Sequence, residues 1–247
     1  MLTISFRHFP ISAGEKILDL GRGEGRHVIN VYLQDNVSAI GVDLSERDLQ
    51  TAQERSSTFV DHSNTEKLFS LQVADAKQLP FATHTFDKVI CSEVLEHIHD
   101  YHAVLKEIQR VLKPGGLLAI SVPRYWPEKI CWQLSRAYHQ VEGGHIRIFN
   151  ARALREEIEA YGMRFTSRHW AHALHTPFWW LKCLLWNKQD DSSLIKLYHR
   201  LLVWDLMQKP WLTQTLEKLL NPLMGKSVVM YFQHALHDSQ NEINERE

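Results

Sequence analysis

Cysteine is scarce in this chain. There are three in 247 residues, Cys91, Cys131 and Cys183, spaced so that no CxxC pair and no disulfide framework results. That excludes a disulfide-stapled secreted scaffold and fits a reducing, cytoplasmic setting. Charge of one sign is also missing: 28 Lys plus Arg stand against 29 Asp plus Glu, interspersed, with no basic stripe to track a phosphate backbone. Nucleic acid is therefore not expected as a partner. Long apolar runs are absent too. Segments 178–186 and 194–207 are broken by Lys182, or by Lys196, His199, Arg200 and Asp205, well short of the ~18 residues a membrane span needs. The first ten residues carry Arg7 and His8 where a signal peptide would have an apolar core, so export is not expected.

What is present is alternation. A length of 247 residues suits a single domain with a substantial core. Between Lys16 and Val122, β-rich apolar runs alternate with amphipathic stretches, the pattern of βαβ units and a parallel sheet. Strands are predicted near Lys16–Leu20, Ser38–Val42, Phe69–Ala74, Phe86–Cys91 and Leu117–Val122. Helices are predicted after Gly25, over Glu46–Ser57, and over Tyr101–Leu112, where Val104, Leu105, Ile108 and Leu112 share a face before Lys113-Pro114-Gly115-Gly116. A helix over Ala151–Tyr161 capped by Asn150, a strand near Met163–Trp170 and a strand over Ser227–His234 follow. Residues 171–226 form a helical, aromatic-rich insertion, and 241–247 read as a polar tail.

The chemistry begins at Lys16-Ile17-Leu18-Asp19-Leu20-Gly21-Arg22-Gly23-Glu24-Gly25, where a buried strand meets a helix through a loop poor in side chains. A dinucleotide loop, G-x-G-x-x-G, would need glycine where Arg26 stands. Asp19 would also place a carboxylate near an anionic pyrophosphate, so a cationic ligand suits it better. Asp43 ends the second strand 22 residues after Gly21, placed to accept two ribose hydroxyls, with Leu44 and Ser45 opening the next helix. Asp75 and Ala76 follow the third strand, where a carboxylate can accept from an exocyclic adenine amine. Three acidic groups along one sheet edge match a ligand with an ammonium, a ribose and an adenine.

On these residues the chain resembles the class I S-adenosylmethionine-dependent methyltransferases, in particular the methyltransferase type 11 group that includes ubiquinone- and menaquinone-biosynthesis enzymes. The resemblance runs from about Lys16 to Met163. It rests on Ile17–Gly25, Gly41-Val42-Asp43-Leu44-Ser45, Ala74–Phe81 with Phe86-Asp87-Lys88-Val89-Ile90, Glu93–His97 and Arg110–Gly116. It implies a Rossmann-like, seven-stranded, mostly parallel sheet, with residues 171–226 inserted between the sixth and seventh strands. It also implies S-adenosylmethionine as cofactor, with Asp19, Gly21 and Gly23 at the methionine end, Asp43 and Leu44 at the ribose, Asp75 and Ala76 at the adenine, and Ser92 completing the set. Arg22 departs from the cysteine or small residue common there.

Candidates for the acceptor side come next. Glu93, Glu96 and His97 form E-x-x-E-H after the fourth strand. In ubiquinone-type O-methyltransferases a similar motif can hold a divalent cation, but the same letters occur widely among relatives that bind no metal; the alternative here is a solvated helix start, and no metal is assigned. His145, in Gly143-Gly144-His145-Ile146-Arg147, is the first choice for a general base, since a histidine can be neutral near pH 7. It could equally pin its loop to backbone. Glu93 and His97 complete the catalytic set, with His139 and Tyr125 as further candidates.

The insertion contains Trp179, Trp180, Trp186, Trp204 and Trp211. If the sixth strand is parallel and the seventh antiparallel, a connection between them begins and ends at the carboxyl edge of the sheet, where ligands bind. Ordinary helix packing is one use for these rings. A lid and apolar tunnel for a lipophilic acceptor is the other, extending to peripheral contact with the inner face of a membrane. The reading is thus methyl transfer to oxygen or carbon of a lipophilic, quinone-like or lipid precursor by a cytoplasmic protein. Two other readings stay open: a protein or RNA methyltransferase, and a non-catalytic partner that binds S-adenosylmethionine. Neutral charge opposes RNA. The N-P-P-Y tetrapeptide of nitrogen methylation in related enzymes is absent after the fourth strand, and intact Asp19, Asp43 and Asp75 oppose a decayed site.

Overall fold

The structure, a computed structural model, describes residues 2–21, 23–61, 63–141 and 143–236. Arg22 and the tail 241–247 lie outside the described residues. Seven strands form one sheet: β1 (Lys16–Leu20), β2 (Ser38–Asp43), β3 (Leu68–Val73), β4 (Phe86–Ser92), β5 (Leu112–Pro123), β6 (Met163–Ala171) and β7 (Ser227–His234), in the order β3-β2-β1-β4-β5-β7-β6. The first five pair in parallel, and β7 runs antiparallel to both β5 and β6. This is the expected Rossmann-like, mostly parallel sheet.

The strands read as continuous apolar runs because both faces are covered. Alternate residues serve opposite layers. Leu18, Leu20, Val89, Cys91, Ile120 and Val122 pack beneath α3 (Tyr101–Val111) and α6 (Ala151–Ala160), which contribute Val104, Leu105, Ile108, Leu154 and Ile158. Ile17, Ile90, Ala119 and Val229 face the other way, against Val28, Val31 and Tyr32 of α1 (Arg26–Tyr32) and against Ile4 and Phe9. Caps fix the helix starts: Ser45 accepts from Asp48 N at α2 (Glu46–Ser56), Asp100 from Ala103 N at α3, and Asn150 from Arg152 N and Ala153 N at α6.

Two features differ from the sequence reading. The helix predicted to reach Leu112 stops at Val111. Leu112 is already extended and pairs with Phe86, and Lys113–Gly116 belong to β5 across a register shift, with Gly115 at φ 78°. Proline and glycine there end the helix but do not end the strand pairing. In addition, the stretch between β5 and His145, to which the sequence assigns no element, holds two helices, α4 (Tyr125–Leu134) and α5 (Arg136–Gln140). Pro127 sits in the first turn of α4, where a missing N–H costs no helical hydrogen bond.

Three further helices lie between β6 and β7: α7 (His175–Leu184), α8 (Ser193–Gln208) and α9 (Trp211–Met224). Ala171 and Pro123 each pair with Ser227, so the excursion leaves and rejoins the sheet at its carboxyl edge. Cys131 of α4 and Cys183 of α7, far apart in sequence, lie in one buried cluster with Tyr138 and remain unbridged.

Candidate active site

The turn after β1 is built without side chains because there is no room for them. Gly21 stands at φ 111°, and a Cβ there would lie 1.9 Å from Val94 Cγ2. Gly25, the N-cap of α1 at φ 78°, offers the helix no side-chain acceptor. Asp19 supplies it from the strand: its Oδ2 accepts from Val28 N at 2.9 Å. Burial pushes the Asp19 carboxyl up to about 7, and this outweighs the Val28 hydrogen bond, which pulls it down. Asp43, at the end of β2, braces the same loop. Its Oδ2 accepts from Gly23 N at 3.2 Å and its Oδ1 from Ser45 N at 2.8 Å. Asp75 accepts from Lys77 N at 2.9 Å and lies 3.4 Å from its Nζ.

These strand ends line a cavity of about 600 Å³. Gly21, Asp43, Leu44, Asp75, Ala76 and Val94 form its floor, and residues of the His97–Asp100 segment with Gly143 form its far side. A second cavity, about 430 Å³, opens on the other side of the β4 end. Glu93, Arg26, Lys226, His172 and His175 make its polar part, and Phe178, Trp179, Leu202 and Leu206 of α7 and α8 its apolar wall.

The structure splits the E-x-x-E-H motif. Glu93 adopts φ 56° and accepts from the Ser121 hydroxyl at 2.9 Å, which turns it toward the second cavity. Ser92 bonds to that same Ser121 hydroxyl at 2.8 Å and does not line the first cavity. Glu96 is not at a solvated helix start. It is fully buried on a short 3-10 turn, Leu95–His97, and neither carboxylate oxygen has a hydrogen-bond partner among the described residues. Burial, and then the charge of Glu93, hold its carboxyl well above the ordinary carboxylate range. His97 lines the first cavity, contacts Gly144 O at 3.2 Å and stands edge-on to His145, with ring centroids 4.9 Å apart. Glu96, His97 and His145 each offer one atom within 4.8 Å of the others, a donor set able to take a divalent cation.

His145 has a partner that sequence reasoning missed. Its Nδ1 lies 2.6 Å from Glu128 Oε1, a carboxylate buried in α4. Burial raises the Glu128 carboxyl, but the His145 hydrogen bond and the Lys226 ammonium 3.8 Å away hold it below the ordinary value. Tyr138 and Trp132 also reach Glu128, each at 3.3 Å. The histidine is thus held by a carboxylate that orients the ring, and Lys226 connects that pair to the wall of the second cavity. His139, by contrast, stacks on Trp132, and Tyr125 is half exposed; both line an outer hollow.

Residues 4–168 match the family described as a methyltransferase domain. The chain belongs to that family. Among curated relatives, methyltransferase GfsG of Streptomyces halstedii is 34% identical over 116 residues, 47% of this chain and 40% of that protein. A demethylmenaquinone methyltransferase of Corynebacterium glutamicum is 34% identical over 111 residues, 45% of this chain and 43% of that protein. The matched stretch therefore spans less than half the length of these relatives. Geranyl diphosphate methyltransferase in complex with SAM superposes with a TM-score of 0.61 at 14% identity, covering 93% of this chain and 82% of that one, a likeness of fold.

With membership of this methyltransferase family comes S-adenosylmethionine as the cofactor, and the donors present fit it. The 600 Å³ cavity offers carboxylates at Asp43 and Asp75 and a glycine floor at Gly21. Asp19 and Gly23 form the loop behind it. The sequence placed Asp43, Leu44, Asp75 and Ala76 together, and the structure brings them together. The motif letters gave no sign that Glu93 and Glu96 face different surroundings, because a positive φ at a glutamate has no sequence signature.

Proposed function

We propose that this methyltransferase moves the methyl group of S-adenosylmethionine to oxygen or carbon of a lipophilic small molecule, a quinone-like or lipid precursor, in the cytoplasm at the inner face of a membrane. One observation carries the reading. Two cavities lie at the carboxyl edge, one lined by Val94 with Asp43 and Asp75, the other by the preceding residue Glu93 with Phe178, Trp179, Leu202 and Leu206.

In the first cavity Asp43 would take the ribose hydroxyls, Asp75 and Ala76 the adenine, and Gly21 the methionine end, with Asp19 supporting the loop from behind. Bound there, the sulfonium supplies an electrophilic methyl group. The protein's part is to align the acceptor, exclude water and remove a proton. The insertion over the second cavity acts as lid and apolar tunnel. His145, oriented by Glu128, takes the acceptor's proton, and Glu93 positions the acceptor's polar end. No step is routed through a metal. The names of the relatives, one a demethylmenaquinone methyltransferase, support a small-molecule acceptor.

The test is to supply S-adenosylmethionine labelled in its methyl group with a lipid extract and with parallel protein and RNA fractions, and to identify labelled products by mass spectrometry. A labelled lipophilic product is expected. Label confined to protein or RNA would overturn the reading.

A further inference from the structure

The outer surface of the insertion carries apolar stripes that no core uses. On α8, Ile195, Leu202 and Asp205 are buried, while Leu194, Leu197, Leu201 and Trp204, one helical step around, face outward, with Leu197 64% exposed. On α9, Thr213 is buried, and Leu212, Leu216, Leu219 and Leu223 recur at helical spacing outside, Leu219 and Leu223 each 67% exposed. Trp211, at the start of α9, is 77% exposed. A helix of a globular protein ordinarily turns such a stripe inward. Leu181, Leu194, Leu197, Tyr198, Leu201 and Trp204 also line a surface groove of about 490 Å³ whose one charged lining residue is Arg200.

Charge around the stripes is predominantly positive. Lys188, Lys196, Arg200, Lys209 and Lys218 are exposed, against two exposed carboxylates, Asp190 and Asp191. The insertion's other two carboxylates point inward: Asp205 accepts from the hydroxyl of Thr213 and from Gln214, and Glu217 accepts from the backbone of Ala173 and Leu174. The whole chain is formally at −1, so this surface is positive against a more negative remainder. Exposed Leu and Trp bordered by Lys and Arg are the makeup of helices that lie in a lipid interface.

We propose that the α8–α9 surface seats on an anionic lipid bilayer. The leucines and tryptophans enter the boundary between headgroups and acyl chains, the lysines and Arg200 meet lipid phosphates, and the α8 groove takes an acyl chain. A second copy of the chain is a poorer occupant, because a two-fold contact would set these same five cations against their own copies. The seating has a use. Leu202, Val203 and Leu206 of α8 also wall the 430 Å³ cavity, so the docked helix stands between bilayer and acceptor site. This use rests on the reading of a lipophilic acceptor.

The test is co-sedimentation with vesicles of pure phosphatidylcholine and of equal parts phosphatidylcholine and phosphatidylglycerol. Wild-type protein is expected to partition onto the anionic vesicles and to leave them as salt is raised. The triple variant Leu197→Ser, Trp211→Ser, Leu219→Ser is expected to partition at least roughly tenfold more weakly, since each change removes apolar surface from the interface. All three side chains are exposed, so its melting temperature and S-adenosylmethionine affinity should match wild type. No partition of wild-type protein onto anionic vesicles, equal partition of the variant, or a wild-type dimer that the variant dissolves without vesicle binding would overturn the docking surface. Turnover on a detergent-dispersed acceptor, measured without vesicles, reports on the acceptor reading separately.

Discussion

Asp19 is only part-exposed at the end of β1, and the desolvation it suffers there raises its carboxyl to about 7 in the folded protein against about 4 in an unfolded chain. The folded state therefore holds the extra proton. Stability from this group is fully present below about pH 4 and is lost as pH rises toward 7, by up to about 4 kcal/mol if the whole shift is realised. Asp19→Asn keeps an acceptor for Val28 N and should flatten that slope in urea unfolding of the ligand-free protein between pH 4 and 8. Equal slopes would contradict it. The second residue-scale prediction concerns His145. His145→Ala should lower kcat by about 10²-fold or more with S-adenosylmethionine affinity unchanged, and Glu128→Gln should change the pH profile of kcat. Near-normal turnover would remove His145 from catalysis. The sequence exposed Asp19, Asp43 and Asp75 because each lies at or just past the end of a strand signal. It hid Glu128, which meets His145 only because α4 folds back 17 residues upstream.

At the scale of elements, the glycine loop is the most tightly determined. Gly21→Ala would drive a methyl group into Val94 at a backbone angle that favours glycine, so we expect a melting temperature several degrees lower and S-adenosylmethionine affinity reduced at least roughly tenfold, read by calorimetry. A variant with wild-type values would mean that the loop relaxes freely. Strands were legible because burial on both faces leaves uninterrupted apolar runs, and β1 and β7 fall on the residues expected. The helices α4 and α5 were not legible. Their aromatic, mixed sequence has no clean apolar period, and their order comes from packing on α7 around Cys131, Tyr138 and Cys183. The insertion was readable as helical and aromatic, but its division into an inward and an outward face required the fold.

At the scale of the molecule, the sheet sorts the chemistry: the carboxyl edge gathers Asp43, Asp75, Glu93 and the insertion, while the interior on both faces is apolar. No helix among the described residues is long and apolar enough to cross a membrane. The central claim is that this edge binds S-adenosylmethionine through the acidic residues at the strand ends. Its most direct test is calorimetric titration of S-adenosylmethionine into wild-type protein and into Asp43→Asn, which keeps the shape at the end of β2 but replaces the carboxylate proposed to take the ribose. Saturable one-site binding by wild type, weakened about tenfold or more in a variant that still unfolds cooperatively, with its melting temperature lowered a few degrees for the one backbone hydrogen bond it loses, is the predicted result. Absence of binding by wild type, or equal affinity in the two proteins, would contradict it.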